Sequence, residues 1–324
     1  MNKYFCTHFD SNYLPHAKSV HSSLTKHLEE AVLFMFCMDN KSFLELSKLN
    51  LKSTILIHHD ELESFFPRLI SVKNDRDKVE YFYTCSPLIC NYIIQTNPQV
   101  NQITYLDSDL YFFDSPLPIF DELNGYSVGI IEHKFNFLTK RNKKYGNFNV
   151  GWVTFKRDAN GLACLNDWSD KCLDWCYQKP EKNRYADQKY LDYWQKDFKN
   201  IKVISNIGAN VAIWNIKNYK ISKKDNKIYI DDFPLIFYHF ANLKQLSKNS
   251  FSTSLSRVFL SCKGLLKNEI YLPYLKEFLN HQNHDSISIS ISKKDIHSKG
   301  FITFIRNYSR KVRLFFYNDI IKID

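Results

Sequence analysis

Two aspartates separated by one residue, Asp107 and Asp109, are the side chains of this sequence best suited to chemistry. They follow an apolar, β-rich run over residues 103–106, and Pro116 and Pro118 close the segment behind them. The pattern predicts a strand with an Asp-x-Asp pair at its C-terminal end. Two carboxylates at such a position can share one divalent cation with the phosphates of a nucleotide. A surface turn is the alternative, because Asp and Ser are common in turns.

Strands and helices are predicted to alternate along the chain before this pair. In order, the sequence predicts a strand over residues 3–8, a helix from Leu14, a strand over 31–38, a helix over 41–49, a strand over 54–58, an irregular basic stretch and a helix over 78–95. Pro87 is expected to kink or split the last helix. The alternation predicts an α/β fold with flanking helices on a mostly parallel sheet and ligands at the carboxyl ends of its strands. No glycine-rich phosphate loop is present, so a metal and basic side chains would have to hold phosphate.

Beyond the pair, the predicted elements carry further polar residues at their ends. The sequence predicts a short helix over 116–123, a strand over 126–132, a basic loop over 133–148, a strand over 147–155, a helix over 162–177 and a helix from about Ala186. The loop is rich in Lys, Arg and Asn and could fold over an anionic ligand. An apolar strand over 235–240 then ends near His239.

Four polar or glycine residues in this part of the chain could belong to a site, and each also has an ordinary structural or hydrogen-bonding role. Gly151 either marks a β-bulge or permits close approach of the backbone to a sugar. Asp187 stands at a helix start, where capping is the ordinary role, and Gln188 beside it can form hydrogen bonds. A histidine at a strand end is usually structural, yet His239 also meets the requirements of a metal ligand. The residues alone leave these alternatives open.

Composition indicates a soluble globular protein in a reducing compartment. The 324 residues are 44% hydrophobic and 16% aromatic, which is enough to bury a sizeable core. No secretory signal is predicted, and the longest apolar run, residues 31–38, is far shorter than the ~20 residues needed to cross a bilayer. The eight cysteines are irregularly spaced, and Cys164, Cys172 and Cys176 fall on one apolar helical stripe, which favours core packing over zinc. We therefore expect a cytoplasmic location.

The formal charge of +10 lies partly in the C-terminal segment. Between Lys293 and Arg313, basic residues are interleaved with bulky apolar ones such as Phe301 and Phe304. This pattern suits a helix on an anionic membrane surface, which would make the protein peripheral on the inner face of the cytoplasmic membrane. A final helix packed on the domain with a solvated basic face fits the pattern equally well.

Together these blocks resemble the retaining nucleotide-sugar glycosyltransferases of the GT-A fold, close to the family of glycogenin and the lipopolysaccharide galactosyltransferases. The pattern Tyr-Leu-Asp-x-Asp-Leu-Tyr-Phe-Phe at residues 105–113 is similar to that of a group of family 8-like bacterial enzymes. The resemblance runs from Lys3 to about Lys244. It departs from the family after His239, where the segment is one residue shorter and lacks a glycine, and Ile213 replaces a proline before Trp214.

The resemblance implies a role for each block. Asp107, Asp109 and His239 would bind Mn²⁺ or Mg²⁺, and Lys244 would contact the diphosphate. The turn Asp10-Ser11-Asn12-Tyr13 implies that Thr7, Asp10 and Tyr13 lie near the nucleobase and ribose. Asn149 and Gly151 match a sugar-pocket block, and Asp187 and Gln188 match a catalytic pair beside the anomeric carbon.

The activity that the resemblance implies is a metal-dependent hexose transfer from a nucleotide-diphosphate sugar, with uridine as the expected nucleobase and with retention of configuration. The acceptor would be a glycan or glycolipid of the cell surface, such as lipopolysaccharide, O-antigen or capsule. Residues 1–245 would form the GT-A nucleotide-sugar-binding and catalytic domain. Residues 246–324 would form a basic, aromatic helical extension that contacts the membrane or the acceptor.

Two other classes of function share some of these sequence features. A metal-dependent phosphohydrolase or nucleotidyltransferase also needs carboxylates at strand ends, but it would normally have a denser set of metal ligands. A non-enzymatic nucleic-acid-binding protein would explain the positive charge. The aromatic residues, however, fall in apolar strands and helices and no basic RNA or DNA motif is visible, so no nucleic-acid partner is expected.

Overall fold

The structure is a computed structural model that describes residues 2–282 and 316–323 of the chain. The basic segment 293–313 lies outside the described residues. The helices are α1 Leu14–His27, α2 Asn40–Ser47, α3 His59–Phe65, α4 Arg68–Asp75, α5 Lys78–Thr96, α6 Leu117–Glu122, α7 Ala159–Asp174, α8 Trp194–Asp197 and α9 Leu272–His281. The strands are β1 Lys3–Phe9, β2 Ala31–Cys37, β3 Thr54–His58, β4 Gln102–Leu106, β5 Leu110–Phe112, β6 Val128–Glu132, β7 Phe148–Lys156, β8 Ile201–Ile204, β9 Val211–Ala212, β10 Ile221–Lys224, β11 Lys227–Ile230, β12 Phe233–Pro234, β13 Phe237–His239, β14 Lys244–Ser247, β15 Ser250–Ser252 and β16 Ile320–Lys322. Within the described ranges, no helix is both long enough and apolar enough to cross a membrane.

Seven strands form the central sheet, in the order β3-β2-β1-β4-β7-β6-β8. Neighbouring strands run parallel, except that β7 is antiparallel to both β4 and β6. The prediction of a mostly parallel sheet is confirmed. Because β1, β4 and β6 run in the same direction, their carboxyl ends lie at one edge of the sheet, where ligands bind in folds of this type.

Helices cover both faces of this sheet. Successive side chains of a strand point to opposite faces, so Cys6 and Phe34 join one core with α5 and α7, while Phe5 and Leu33 join a second core with α1. Strands covered in this way are apolar along their whole length, as β2 is. All eight cysteines are free and buried. The predicted core packing of three of them is confirmed: Cys164 and Cys172 lie on α7, and Cys176 follows its end.

Helix α5 continues without interruption past an internal proline, Pro87. The Asp77 side chain accepts hydrogen bonds from the backbone N–H groups of Val79 and Glu80, each at 2.9 Å, in a capping box that fixes the first turn. The sequence predicts a kink or a split at Pro87; the proline lies inside the helix without ending it, so a split is wrong and a kink stays a prediction. Extensive burial of α5 against the sheet and α7 offsets the ~3 kcal/mol that an internal proline costs.

The expectation of an irregular stretch between β3 and α5 is also wrong, because this stretch contains α3 and α4. A capping box starts α3, in which Glu61 Oε1 accepts a hydrogen bond from the backbone N–H of His58 at 3.2 Å. Asp60 and Glu61 in the first turn favour the positive end of the helix dipole. These acidic residues are the sequence signal for a helix start at this point.

A second, smaller sheet holds the end of the Asp-x-Asp segment. After Asp107 the chain leaves the central sheet and forms β5, which pairs antiparallel with β13, so that Leu110 lies opposite His239. The backbone N–H of Phe240 donates to the backbone oxygen of Asp109 at 2.9 Å. Strand β9 pairs with the other edge of β13. The small sheet therefore brings a histidine from late in the chain to the two aspartates.

Helix α9 packs on α1 next to this sheet. The hydroxyl of Ser22 donates to Glu277 Oε1 at 2.7 Å, and His16 is hydrogen-bonded to the hydroxyl of Tyr274. The Tyr274 ring stacks on Phe240 with ring centroids 3.8 Å apart. These contacts link the C-terminal part of the described chain to the strand that carries His239. The division of the chain at residue 245 stays a prediction.

Candidate active site

A cavity of about 500 Å³ lies at the carboxyl ends of β1 and β4. Its size suits a ligand as large as a nucleotide sugar. Most of the residues predicted from the sequence line it: Asp10, Tyr13, Asp107, Asp109, Asn149, Asp187, Gln188 and His239. Three predicted residues are not among those lining it: Thr7, Gly151 and Lys244.

Asp107, Asp109 and His239 converge at one end of this cavity. His239 Nε2 lies 2.9 Å from Asp109 Oδ1 and 3.7 Å from Asp107 Oδ2. One ligand atom from each residue lies within 4.8 Å of the others, so one cation could contact all three. Two carboxylates and an imidazole nitrogen suit a divalent ion such as Mn²⁺ or Mg²⁺ in composition.

Each group of this triad has a shifted pKa. Burial raises the pKa of Asp107 to about 6, opposed by the charge of His239 and reinforced by that of Asp109. Burial also acts to raise the pKa of Asp109, but the charge and hydrogen bond of His239 outweigh it, so that pKa is lowered. Burial acts to lower the pKa of His239, and the two carboxylates outweigh it and raise it. A positive charge on His239 thus compensates the aspartates, and a bound cation would do the same.

A chain of hydrogen bonds orients the His239 ring. Nδ1 of His133 donates to the backbone oxygen of Asn147 at 3.1 Å, and Nδ2 of Asn149 donates to Nε2 of His133 at 3.4 Å. Oδ1 of Asn149 then accepts from Nδ1 of His239 at 3.2 Å. Burial lowers the pKa of His133 to about 3, which keeps its ring neutral and able to accept. Nδ1 of His239 therefore carries a hydrogen, and Nε2, which faces the carboxylates, carries the second hydrogen when the ring is charged.

Gly151 allows His239 to occupy this position. The register of β7 against β6 shifts between Ile130 and Ile131, so the predicted bulge is present. A Cβ atom on Gly151 would lie 2.9 Å from Nδ1 of His239 and 2.5 Å from Oδ1 of Asn149, closer than side chains approach one another. The Gly151 oxygen also accepts from the backbone N–H of Asp107 at 3.3 Å. In the described chain, the close approach is made by the histidine.

Asp187 lies elsewhere on the cavity wall. It follows Ala186, whose φ of +45° is in the left-handed region, and a 3₁₀ helix begins at Gln188 in place of the predicted α-helix. The Asp187 side chain does not cap this helix. Burial and the charge of Asp107 raise its pKa to about 7, opposed by a hydrogen bond from Ser86. A carboxyl group that titrates near neutrality inside a cavity is typical of functional sites.

The amide of Gln188 is shared between the cavity wall and the neighbouring loop. Nε2 of Gln188 donates to the backbone oxygen of Tyr145 at 2.9 Å. Tyr145 also lines the cavity. Gln188 therefore fixes one end of the segment that connects β6 to β7.

The predicted nucleobase and ribose residues are arranged around the turn after β1. The carboxylate of Asp10 accepts from the backbone N–H groups of Asn12 and Tyr13, at 3.0 and 3.1 Å, and from Lys78 Nζ at 2.5 Å. Asp10 therefore holds the turn, and Tyr13 presents a ring that is 49% exposed. Thr7 is fully buried in β1, and its hydroxyl has no hydrogen-bond partner among the residues that the structure describes.

Two residues that line the cavity, Tyr105 and His133, were not predicted as site residues, although the sequence contains a signal for each. The Tyr105 hydroxyl donates to Asp107 Oδ1 at 3.0 Å. The two residues are two positions apart on one strand and its extension, so strand periodicity places them on the same side. His133 comes directly after β6, and the rule that carboxyl ends of parallel strands bind ligands points to it as well.

Comparison with solved structures finds this fold in a known enzyme. The galactosyltransferase LgtC, solved in complex with donor and acceptor sugar analogues, matches with a TM-score of 0.50 and 16% identity over 74% of this chain and 87% of that chain. At this identity the likeness shows the fold alone. The expected fold class, a GT-A-like α/β fold with a mostly parallel sheet and flanking helices, is confirmed.

Two relatives from Bacillus subtilis (strain 168) define the protein family. The uncharacterized protein YfnF is 32% identical over 257 residues, which cover 77% of this chain and 84% of YfnF. The uncharacterized protein YfnD is 30% identical over 234 residues, which cover 71% of this chain and 74% of YfnD. The chain belongs to the family that includes YfnF and YfnD. No family model matches it.

The shifted pKa of Asp187 predicts that Asp187→Asn stabilises the metal-free protein. The folded pKa of about 7 exceeds the ordinary value of 3.8, so the carboxylate costs stability as pH rises from about 4 to about 7, and the full cost remains above pH 7. Each pKa unit corresponds to about 1.4 kcal/mol. Thermal unfolding in EDTA should give the variant a Tm several degrees higher at pH 8 and a smaller advantage near pH 4.5.

Asp39→Asn is the matched control for this measurement. Burial acts to raise the pKa of Asp39, but hydrogen bonds from Ser11 and Ser42 outweigh it and lower that pKa. The carboxylate therefore contributes stability above pH 4, and Asp39→Asn should lower Tm at pH 8. A lower Tm for Asp187→Asn at pH 8 would contradict the assignment of a destabilising buried charge.

Proposed function

We propose that this protein is a metal-dependent glycosyltransferase that moves a hexose from a nucleotide-diphosphate sugar to a glycan or glycolipid acceptor. The observation that carries the proposal is the convergence of Asp107, Asp109 and His239 at one end of the cavity that also holds Asp187 and Gln188. The fold shared with LgtC supports it, since LgtC was solved with donor and acceptor sugar analogues.

The metal end of the cavity would receive the diphosphate. Asp107, Asp109 and His239 would hold Mn²⁺ or Mg²⁺, which when bound offsets the negative charge of the leaving group. Lys244 lies two residues beyond Asn242, which lines the cavity, and its long side chain would add a second positive charge. Tyr13, on the turn held by Asp10, offers an exposed ring for the nucleobase, for which we propose uracil.

Asp187 and Gln188 would act at the hexose. An ionised Asp187 supplies negative charge near an anomeric carbon that becomes positive as the leaving group departs. Nε2 of Gln188 donates to the backbone oxygen of Tyr145, and Oε1 is the atom that would accept from a sugar hydroxyl. We infer retention of configuration and an acceptor at the cell surface, such as a lipopolysaccharide, O-antigen or capsule precursor.

The rival functions have less support in the described part of the chain. A two-metal phosphohydrolase needs more ligands than the three that converge on this cavity. The fold shared with LgtC also gives no support to a nucleic-acid-binding role.

The first test of this proposal is donor binding measured by thermal shift. We expect Mn²⁺ with one nucleotide sugar from a panel, led by UDP-hexoses, to raise Tm by several degrees, because ligand at 100 times Kd stabilises by ~2.7 kcal/mol. EDTA or Asp109→Asn should remove the shift, and slow release of nucleotide should accompany it. An equal shift in EDTA, or none with any nucleotide sugar, would contradict the proposal.

The hydrogen bonds behind His239 predict the effect of a second change on metal affinity. His133→Phe keeps the aromatic contacts with Phe135 and Trp214 but removes the acceptor for Asn149, so the Asn149 amide no longer holds His239 in one orientation. Loss of such an outer partner typically weakens metal binding ~10- to 100-fold. Calorimetric titration with Mn²⁺ alone should show this loss.

A second buried histidine provides the control for that titration. His21 on α1 bonds to the backbone oxygen of Lys52, and it does not line the cavity. His21→Phe should leave the Kd for Mn²⁺ unchanged. Equal Mn²⁺ affinity in His133→Phe and the unaltered protein would refute the orienting role of His133.

A further inference from the structure

The segment between β6 and β7, residues 133–147, combines an exposed apolar tip with a high positive charge; we call it the basic loop. It contains five basic residues and no acidic residue: Lys134, Lys140, Arg141, Lys143 and Lys144. Phe137 at its tip is 91% exposed, more than any other large hydrophobic side chain of the described residues, and Leu138 beside it is 39% exposed. Single exposed apolar residues are ordinary, so the proposal depends on how this one is held and what surrounds it.

Hydrogen bonds hold Asn136 and Thr139, the residues that flank Phe137 and Leu138 in the chain. Oδ1 of Asn136 accepts from the backbone N–H groups of Leu138 and Thr139, at 2.8 and 3.1 Å. The Asn136 N–H and the Thr139 hydroxyl both donate to the backbone oxygen of Trp214, at 3.0 and 2.7 Å. Phe137 is therefore the outer residue of an anchored turn, and its exposure follows from the backbone.

The far end of the loop is fixed as well. The backbone N–H of Asn147 donates to Asp192 Oδ1 at 2.7 Å, and the backbone oxygen of Tyr145 accepts from Nε2 of Gln188. His133 and Tyr145, near the two ends of the loop, both line the cavity. Both ends of the loop are thus anchored at the cavity.

The cations around the tip are available for a partner. The side chains of Lys140, Arg141 and Lys143 are exposed, and none of them forms an ion pair with any residue in the described ranges. Lys134 instead donates to the backbone oxygen of Ser205, and the Lys144 ammonium lies 4.7 Å from the centre of the Tyr145 ring. An apolar tip among unpaired cations has the chemistry of an interfacial anchor, in which rings enter the headgroup layer and cations meet lipid phosphates.

We propose that the basic loop docks this protein on an anionic lipid bilayer, with Phe137 and Leu138 in the headgroup layer and Lys140, Arg141 and Lys143 on lipid phosphates. A soluble polyanion would satisfy the cations equally well but would leave the Phe137 ring in water, so the bilayer accounts for both features. The proposal does not depend on the transfer reaction. Because the ends of the loop line the cavity, docking would hold that cavity close to the membrane surface.

A fluorescent label in the loop of the full chain tests this proposal. All eight native cysteines are buried, so Asn142→Cys, at an exposed position, adds a thiol that an environment-sensitive dye can label selectively. Phosphatidylglycerol-containing vesicles should shift the emission to the blue, and pure phosphatidylcholine vesicles should not. In the labelled protein, Phe137→Ser should lower the partition coefficient about tenfold, and each charge removed by Lys140→Gln or Arg141→Gln should lower it about fivefold.

Helix α2 provides matched controls. Leu44→Ser removes an apolar side chain that is 57% exposed, and Lys41→Gln with Lys48→Gln removes two exposed charges. These variants should bind vesicles as the unaltered protein does, and all variants should keep its Tm, since the changed side chains are exposed.

Three results would overturn the proposal. Vesicle binding without a change in the dye would assign membrane contact to another part of the chain. Equal binding to phosphatidylcholine vesicles would remove the role of charge. A response to dextran sulfate equal to that with anionic vesicles, and unaffected by Phe137→Ser, would assign the loop to a soluble polyanion.

Discussion

The confinement of two like charges determines much of this structure. Asp107 and Asp109, separated by one residue, lie at the end of a buried strand, where burial alone acts to raise the pKa of each. Leaving two carboxylates there uncompensated would be costly, because charges removed from water need a partner. His239 is that partner in the described chain, and β5 pairs with β13 in the register that brings it there. The small sheet, the bulge at Gly151 and the bonds from Asn149 all follow from this need.

The same electrostatics separates residues that support the fold from residues that burden it. The Asp10 carboxylate is fully engaged by Asn12, Tyr13 and Lys78, and it holds a turn. Asp187 is buried close enough to the charge of Asp107 for its pKa to rise, so the fold carries a cost at neutral pH. Proteins keep such groups where a ligand or reaction uses them. This contrast between two buried aspartates is the physical reason for which we propose a chemical role for Asp187 and a structural role for Asp10.

How much the sequence could predict depends on how local each signal is. Alternation and helical spacing are local, so β1, β2, β3 and the position of Asp107 at a strand end follow from the sequence. The split considered at Pro87 does not occur, because the burial of α5 outweighs the local cost of the proline. The pairing of β5 with β13 is long-range, and no local pattern contains it; the residues left His239 open between a structural role and a metal ligand, and the resemblance implied the ligand. The bonds from His133 to His239 depend on three separate segments, which single-residue patterns cannot encode.

The cavity and the basic loop share residues, which joins their physical behaviour. Nε2 of Gln188 donates to the backbone oxygen of Tyr145. The backbone oxygen of Trp214 accepts from the turn that carries Phe137, and the Trp214 ring centroid lies 5.0 Å from that of His239. A force that displaced the loop would therefore act on Gln188, beside Asp187, and on the packing around the metal-ligand candidate. The bond to the Trp214 oxygen is buried and the bond from Gln188 is partly buried, and breaking either one to move the loop has a free-energy cost. Contact at the loop and the geometry of the cavity are for this reason parts of one arrangement.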